Sequence, residues 1–150
     1  DSSFAAGLGS WLGEQAGRPV RLIADGIRPE PGMILLSGTD DHLSLDPDGR
    51  LRYTAEPMTV CYRPSVDVFF NSVAKVWPRP GVAALLAGMG RDGAEGLKKL
   101  RRKGWRTIAQ DQATSVVWGM PRAAAEIGAA ELVLPLPHIA ETIAGWTRSR

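Results

Sequence analysis

One cysteine and two histidines among 150 residues leave little material for metal or disulfide chemistry. Cys61 cannot close a disulfide within the chain, and with His42 and His138 it falls short of the usual set of zinc ligands. No metal site and no cofactor is therefore read from these residues, and a chain without a disulfide framework suits a reducing, cytoplasmic setting. Aromatic residues are also few, at 7%, and the five tryptophans form no ladder on which bases could stack. No apolar run approaches the roughly 18 residues of a membrane span, which argues against membrane insertion. An excess of one charge is missing too: 18 Lys and Arg face 16 Asp and Glu, a net +2 that gives no case for nucleic acid. The opening Asp1-Ser2-Ser3-Phe4 lacks an initiator Met, a charged n-region and an apolar h-region, and it reads as the interior of something longer.

What remains is ordinary for a globular fold, with 44% hydrophobic and 23% charged residues. Neither a repeat nor a linker-like stretch interrupts it, so residues 1–150 read as a single domain.

Local patterns then order the elements. Ser2 or Ser3 can cap a helix whose inward face is Phe4, Leu8, Trp11 and Leu12, closed by Gly17 and Pro19. Val20–Ala24 and Met33–Ser37 read as buried strands between Gly and Pro. His42–Leu45 and Leu51–Thr54 alternate around Asp46-Pro47-Asp48-Gly49, the signature of a hairpin. Ser65 is placed to cap a helix with Asp67 in its first turn and an inward stripe of Val66, Phe69, Phe70, Val73 and Trp77. Strand, helix and strand follow at Val82–Ala87, Gly93–Lys103 and Trp105–Ala109, with Gly104 at the helix C-cap. A helix over Pro121–Ile127, a strand over Leu132–Leu134 and a helix over Pro137–Trp146 complete the chain. The alternation predicts a doubly wound, Rossmann-like α/β fold with a mostly parallel sheet and one β-hairpin insertion.

In such sheets, chemistry gathers in loops after the carboxyl ends of strands. Here that loop is Gly88-Met89-Gly90-Arg91-Asp92-Gly93, a G-x-G-x-x-G with Asp111 at the end of the next strand. A dinucleotide-binding domain is one reading. Against it, Asp92 would put a carboxylate where a pyrophosphate needs amides and positive potential. A local reading makes Asp92 and Glu95 a capping box for the helix that follows, worth about 1 kcal/mol. A third makes Asp92 an orienting acid, held rigid at a strand–helix junction.

Longer segments carry a resemblance. Leu85 to Leu97, then Thr107-Ile108-Ala109-Gln110-Asp111 and Ser115-Val116-Val117-Trp118-Gly119-Met120-Pro121, closely resemble the catalytic domain of CheB-type protein-glutamate methylesterases. Arg63-Pro64-Ser65-Val66-Asp67, Asp41-His42-Leu43 and Asp25-Gly26 ahead of Pro31-Gly32 also fit that pattern, and Ala87 departs from it, standing where the family usually has Thr.

The resemblance implies hydrolysis of methyl esters on receptor glutamates, and deamidation of certain glutamines, by a Ser-His-Asp triad. Asp92 matches the acid, Met89 and Gly90 the oxyanion turn, and Arg63, Ser65, Met120 and Pro121 the substrate cleft. Implied partners are the cytoplasmic domain of a methylated chemoreceptor, an amino-terminal receiver domain and its histidine kinase. The family's G-x-S-x-G-G nucleophile turn and its catalytic histidine are absent from this sequence, so the fold is expected to lack its first βαβ portion and the chain alone to be inactive. Ser65 or Ser115 with His138 and Asp92 are the only groups from which a replacement triad could be drawn, and a non-catalytic signalling module stays open as an alternative. Lys98, Lys99, Arg101, Arg102, Lys103 and Arg106 read as the solvated face of a helix, or as a surface for an acidic receptor helix.

Overall fold

The structure is a computed structural model that describes residues 1–148. A 3-10 turn over Ser2–Phe4 leads into α1 (Ala5–Ala16), β1 (Val20–Leu22) and β2 (Ile34–Leu36). The hairpin β3 (His42–Leu45) and β4 (Leu51–Thr54) precedes α2 (Val66–Val76) and β5 (Val82–Leu85). Then come α3 (Ala94–Arg102), β6 (Arg106–Gln110), α4 (Met120–Glu126), β7 (Leu132–Leu134) and α5 (Leu136–Arg148). Pairing is parallel everywhere except in the hairpin, as a doubly wound α/β fold requires.

The expected single sheet is divided, however. Strands β1 and β2 form one ladder, β3 and β4 a second, and β5, β6 and β7 a third in that order. Between β2 and β5 lies an apolar cleft of about 410 Å³, with Leu35 on one side, Val82, Ala83 and Ala84 on the other, and Phe69, Phe70 and Val73 of α2 among its walls. Both strands have one neighbour in their ladders, so their remaining edges flank this cleft.

The core is built where α3 meets α2 and the three-stranded ladder. Ala94, Leu97 and Leu100 are fully buried on the side of α3 away from its basic residues, and each leucine contributes about 2 kcal/mol by leaving water. Ile108, Ala109, Ala123 and Ala124 close the other side.

Three predicted faces are corrected, the first being that β1 and β2 are not buried strands, since Leu22 and Ile34 are exposed. Phe4, Leu8 and Trp11 point outward, with Trp11 56% exposed, and α1 instead buries Ala5 and Gly9. Periodicity found the stripe, but the narrow side of α1 is the one that packs, since Gly9 lets Leu22, Leu36 and the Val20 backbone come close. The cap ahead of this helix also differs: Asp1, not Ser2 or Ser3, accepts the Ser3 amide. Trp77 lies beyond the end of α2 and is half exposed, because the chain turns extended there. Smaller shifts are Lys103 as the α3 C-cap with Gly104 just after it (φ +90°), and strand and helix ends displaced by one or two residues.

Candidate active site

Asp92 sits between the end of β5 and the start of α3, buried at 7% exposure. It does not cap its own helix. Gly93 occupies the α3 N-cap at φ +94° with no side-chain cap, and Glu95 is exposed, so the capping box is overturned. Gly93 is required there: besides the left-handed φ, a Cβ would lie 2.8 Å from Leu85 Cδ2.

The Asp92 carboxylate turns to the other helix. Ser65 Oγ donates to Oδ1 at 2.7 Å, the Asp67 amide to Oδ1 at 3.1 Å, and the Val66 amide to Oδ2 at 2.6 Å. The positive start of α2 thus holds the acid by three donors. A carboxylate has about four acceptor positions, so one is left, on Oδ2. Asp92 also lines a cavity of about 460 Å³ whose walls include Val60, Cys61, Tyr62, Asn71, Arg91 and Glu95. Asn71 Oδ1, buried in this wall, has no hydrogen-bond partner among the described residues.

Ser65 caps α2 as predicted, accepting the Val68 amide at 3.3 Å. Its own amide donates to His42 Nδ1 at 3.0 Å. An accepting Nδ1 puts the ring proton on Nε2, which donates to the Pro57 carbonyl at 3.0 Å. His42 is 0% exposed. His42, Ser65 and Asp92 are therefore neighbours without being a triad. Both ring nitrogens are committed to backbone groups, and the Ser65 hydroxyl proton goes to the carboxylate, so no imidazole faces the hydroxyl. The sequence offered His42 only as part of the matching segment Asp41-His42-Leu43 and as a polar residue opening a strand; its hold on the Ser65 amide was not read from it.

The other replacement candidates are placed apart. Ser115 Oγ donates to the Asp111 carbonyl at 2.6 Å, and His138 is exposed in the first turn of α5. Ser149, the remaining serine near the chain end, lies outside the described residues.

Met89 and Gly90 form the exposed tip of the glycine loop, Met89 at 79%. Gly90 has φ +94° and turns its bare α-carbon to the Tyr62 hydroxyl, which a side chain would strike. Among the described residues, neither the Met89 nor the Gly90 amide meets an acceptor. The loop is held from behind. Gly119 and Met120 amides both donate to the Gly88 carbonyl, at 3.0 and 2.8 Å, and the Gly88 amide donates to Val117. Gly119 has to be bare, since a Cβ would lie 2.7 Å from that carbonyl oxygen. Met120 and the buried Pro121 belong to this support and not to the cavity wall. Arg63 is likewise not part of the cavity wall; it bridges Asp41 at 3.6 Å and donates to Met58 Sδ.

Gln110 was missed as well. It is 2% exposed, its Oε1 accepts the Ala87 amide at 2.8 Å, and its Nε2 donates to the Thr114 carbonyl at 2.8 Å. The strand leading into the glycine loop is thereby clamped to the loop after β6.

The dinucleotide reading fails on the same geometry. Asp67 Oδ1 accepts the Gly96 amide at 2.7 Å, and the Gly93 amide also favours the charged carboxylate, so the start of α3 is already filled by an anion of the protein itself. Asp111 is occupied with the amide and hydroxyl of Thr114.

Fold and site together define an α/β domain with a fixed, buried carboxylate and free amides on one strand-to-helix loop, and a helix start already occupied by a carboxylate of the protein. The chain belongs to the CheB methylesterase family, whose model matches residues 1–143. It is 56% identical over 140 residues to "Protein-glutamate methylesterase/protein-glutamine glutaminase 2" of Pseudomonas syringae pv. syringae (strain B728a), covering 93% of this chain and 42% of the relative. A second relative of the same printed name, from Burkholderia orbicola (strain AU 1054), is 55% identical over 148 residues, 99% of this chain and 44% of the relative. The crystal structure of the Thermotoga maritima CheB methylesterase catalytic domain superposes with a TM-score of 0.85 at 31% identity, covering 93% of this chain and 76% of that one. The chain thus spans less than half the length of these curated relatives. No helix among the described residues is long and apolar enough to cross a membrane.

Proposed function

We propose that this chain carries the orienting acid and the oxyanion turn of a protein-glutamate methylesterase and glutamine deamidase that acts on methylated chemoreceptors. The observation that carries the reading is the Asp92 carboxylate: buried, held by three donors with an acceptor position left on Oδ2, and part of the wall of a cavity. The names of the relatives support it; among the described residues no serine–histidine pair stands in hydrolytic geometry. The nucleophile and base then come from polypeptide outside these 150 residues.

In this reading a serine hydroxyl adds to the ester carbonyl while a histidine takes its proton. Asp92 accepts the imidazole N–H, fixing its tautomer and balancing the imidazolium. The Met89 and Gly90 amides are the free donors for the developing oxyanion. The histidine returns the proton to the departing methoxide, methanol leaves, and water hydrolyses the acyl-enzyme by the same steps. Arg63, Met120 and Pro121 act around the cleft through the loops they brace. The partners are the receptor's cytoplasmic domain, a receiver domain and the kinase that serves it.

Methanol release from methylated receptor by the full-length protein tests this. Asp92→Asn should lower kcat by about 10⁴-fold, as loss of the orienting acid does in hydrolytic triads, and the 150-residue chain alone should release none. Full activity in the Asp92→Asn protein would overturn the assignment and favour a non-catalytic signalling module.

A further inference from the structure

Three donors reach Asp92, and they are not equivalent. The Val66 and Asp67 amides come with α2 whatever its N-cap residue is. The third, from Ser65 Oγ, is a side-chain choice and makes the shorter of the two bonds to Oδ1, 2.7 Å against 3.1 Å. Ser65 is 3% exposed, and its amide is tied to the buried His42, whose other nitrogen is tied to Pro57. The hydroxyl is thus aimed by a chain running from the loop after β4 through β3 into the helix start. Such anchoring exceeds what a helix cap needs, since a cap requires only an oxygen that accepts an amide.

We infer that Ser65 is a positioning residue for the proposed hydrolytic relay, with His42 as its anchor. Its hydroxyl sets both the direction of Asp92 and the strength with which the carboxylate holds an imidazolium. The inference rests on the reading of Asp92 given above. Without the Oγ–H, Oδ1 keeps only the longer amide bond, so the carboxylate gains freedom to turn about its terminal torsion. Its charge is also shared by two donors instead of three. A less dispersed carboxylate stabilises a neighbouring imidazolium more, which raises the histidine's pKa while loosening its alignment. The other ionisable groups around Asp92 are Asp67 on α2, Glu95 on α3, Arg91 in the loop, Cys61 and Tyr62 in the cavity wall and His42 on β3, and none of their side chains donates to its carboxylate.

The experiment compares Ser65→Gly, Ser65→Thr and Asp92→Asn in the full-length protein, measuring methanol release from methylated receptor across pH together with thermal melting. Glycine is an acceptable N-cap, so Ser65→Gly removes the hydroxyl with little loss of helix start. The expected result is a fall in kcat of about tenfold with KM nearly constant, and a kcat profile whose acid limb moves up by about half a pH unit. Ser65→Thr restores most of both. A Ser65→Gly protein with wild-type kcat and an unmoved acid limb, whatever its melting temperature, overturns the inference while leaving Asp92 in place. Wild-type activity in Asp92→Asn overturns the underlying reading instead. Should Ser65→Gly fail to fold, Ser65→Cys, nearly isosteric with a weak S–H donor, decides by the same two readouts.

Discussion

Asp67 and Asp92 cap each other's helices. Asp92, just ahead of α3, takes the first amides of α2, while Asp67, in the first turn of α2, takes the Gly96 amide of α3 and has its charge favoured by the Gly93 amide as well. Each carboxylate meets the positive end of the helix that its own chain segment does not begin, so neither helix can shift without uncapping the other. The acid at the proposed catalytic position is therefore as rigid as the contact between two helices.

Asp67 bears the electrostatic cost of that arrangement. Burial, ahead of all other influences, pushes its carboxyl above the usual value, against the pull of the two amides and with added repulsion from Asp92 and Glu95. A carboxyl raised in the folded state binds its proton more tightly there than in the unfolded chain. Its contribution to stability is thus present below the ordinary value of 3.8 and is lost as pH rises through the raised one. Asp67→Asn cannot titrate. Urea unfolding of both proteins from about pH 3.5 to 7 should show wild type losing ground to the variant across the window just above 3.8, then a constant difference to neutrality. A wild type that gains on the variant through that window would mean that the helix amides, not burial, dominate.

Gly96 is the point of closest approach in this contact. A Cβ there would stand 2.6 Å from Phe70 Cβ and 3.0 Å from Asp67 Oδ1. Alanine is a better helix former than glycine by about 1 kcal/mol, yet Gly96→Ala should destabilise the protein by about 2 kcal/mol, because overpacking against a neighbouring helix outweighs propensity. The denaturant midpoint should drop without a change in slope. A midpoint at or above wild type would show that α2 can move away, contrary to the mutual capping.

The elements that were legible in the sequence are those whose causes are local. Asp46-Pro47-Asp48-Gly49 specifies a turn by itself, and both flanking strands fall on the predicted residues. Ala94, Leu97 and Leu100 lie inward because one face of α3 has nothing but small and aliphatic side chains among a row of bases. Asp92 was legible as a residue fixed at a strand–helix junction and illegible as the cap of α2. The capping rule pairs a residue with the amide three places on, whereas its donors lie on the residues from Ser65 to Asp67, a whole helix away in sequence. The outward face of α1 failed for a related reason: a pattern shows which residues are alike, and only packing decides which side is covered. His42 and Gln110 act through backbone groups of distant loops, and nothing in their immediate neighbours announces a carbonyl at the far end.

Gln110 supplies the sharpest case of such a hidden requirement. It needs an acceptor for the Ala87 amide and a donor for the Thr114 carbonyl, which only an amide side chain of this length provides at neutral pH. Gln110→Glu keeps the shape and the acceptor but sets a carboxylate oxygen against a carbonyl oxygen in a site 2% exposed. A buried pairing of that kind costs about 2–4 kcal/mol. Protonating the new carboxyl restores a donor, so the deficit should shrink as pH falls from 7 toward about 5, opposite to the acid destabilisation shown by most proteins. Urea midpoints of wild type and variant at the two pH values measure it. An equal deficit at both would mean that the clamp between Ala87 and Thr114 is dispensable and that the glycine loop is held by Gly119 and Met120 alone.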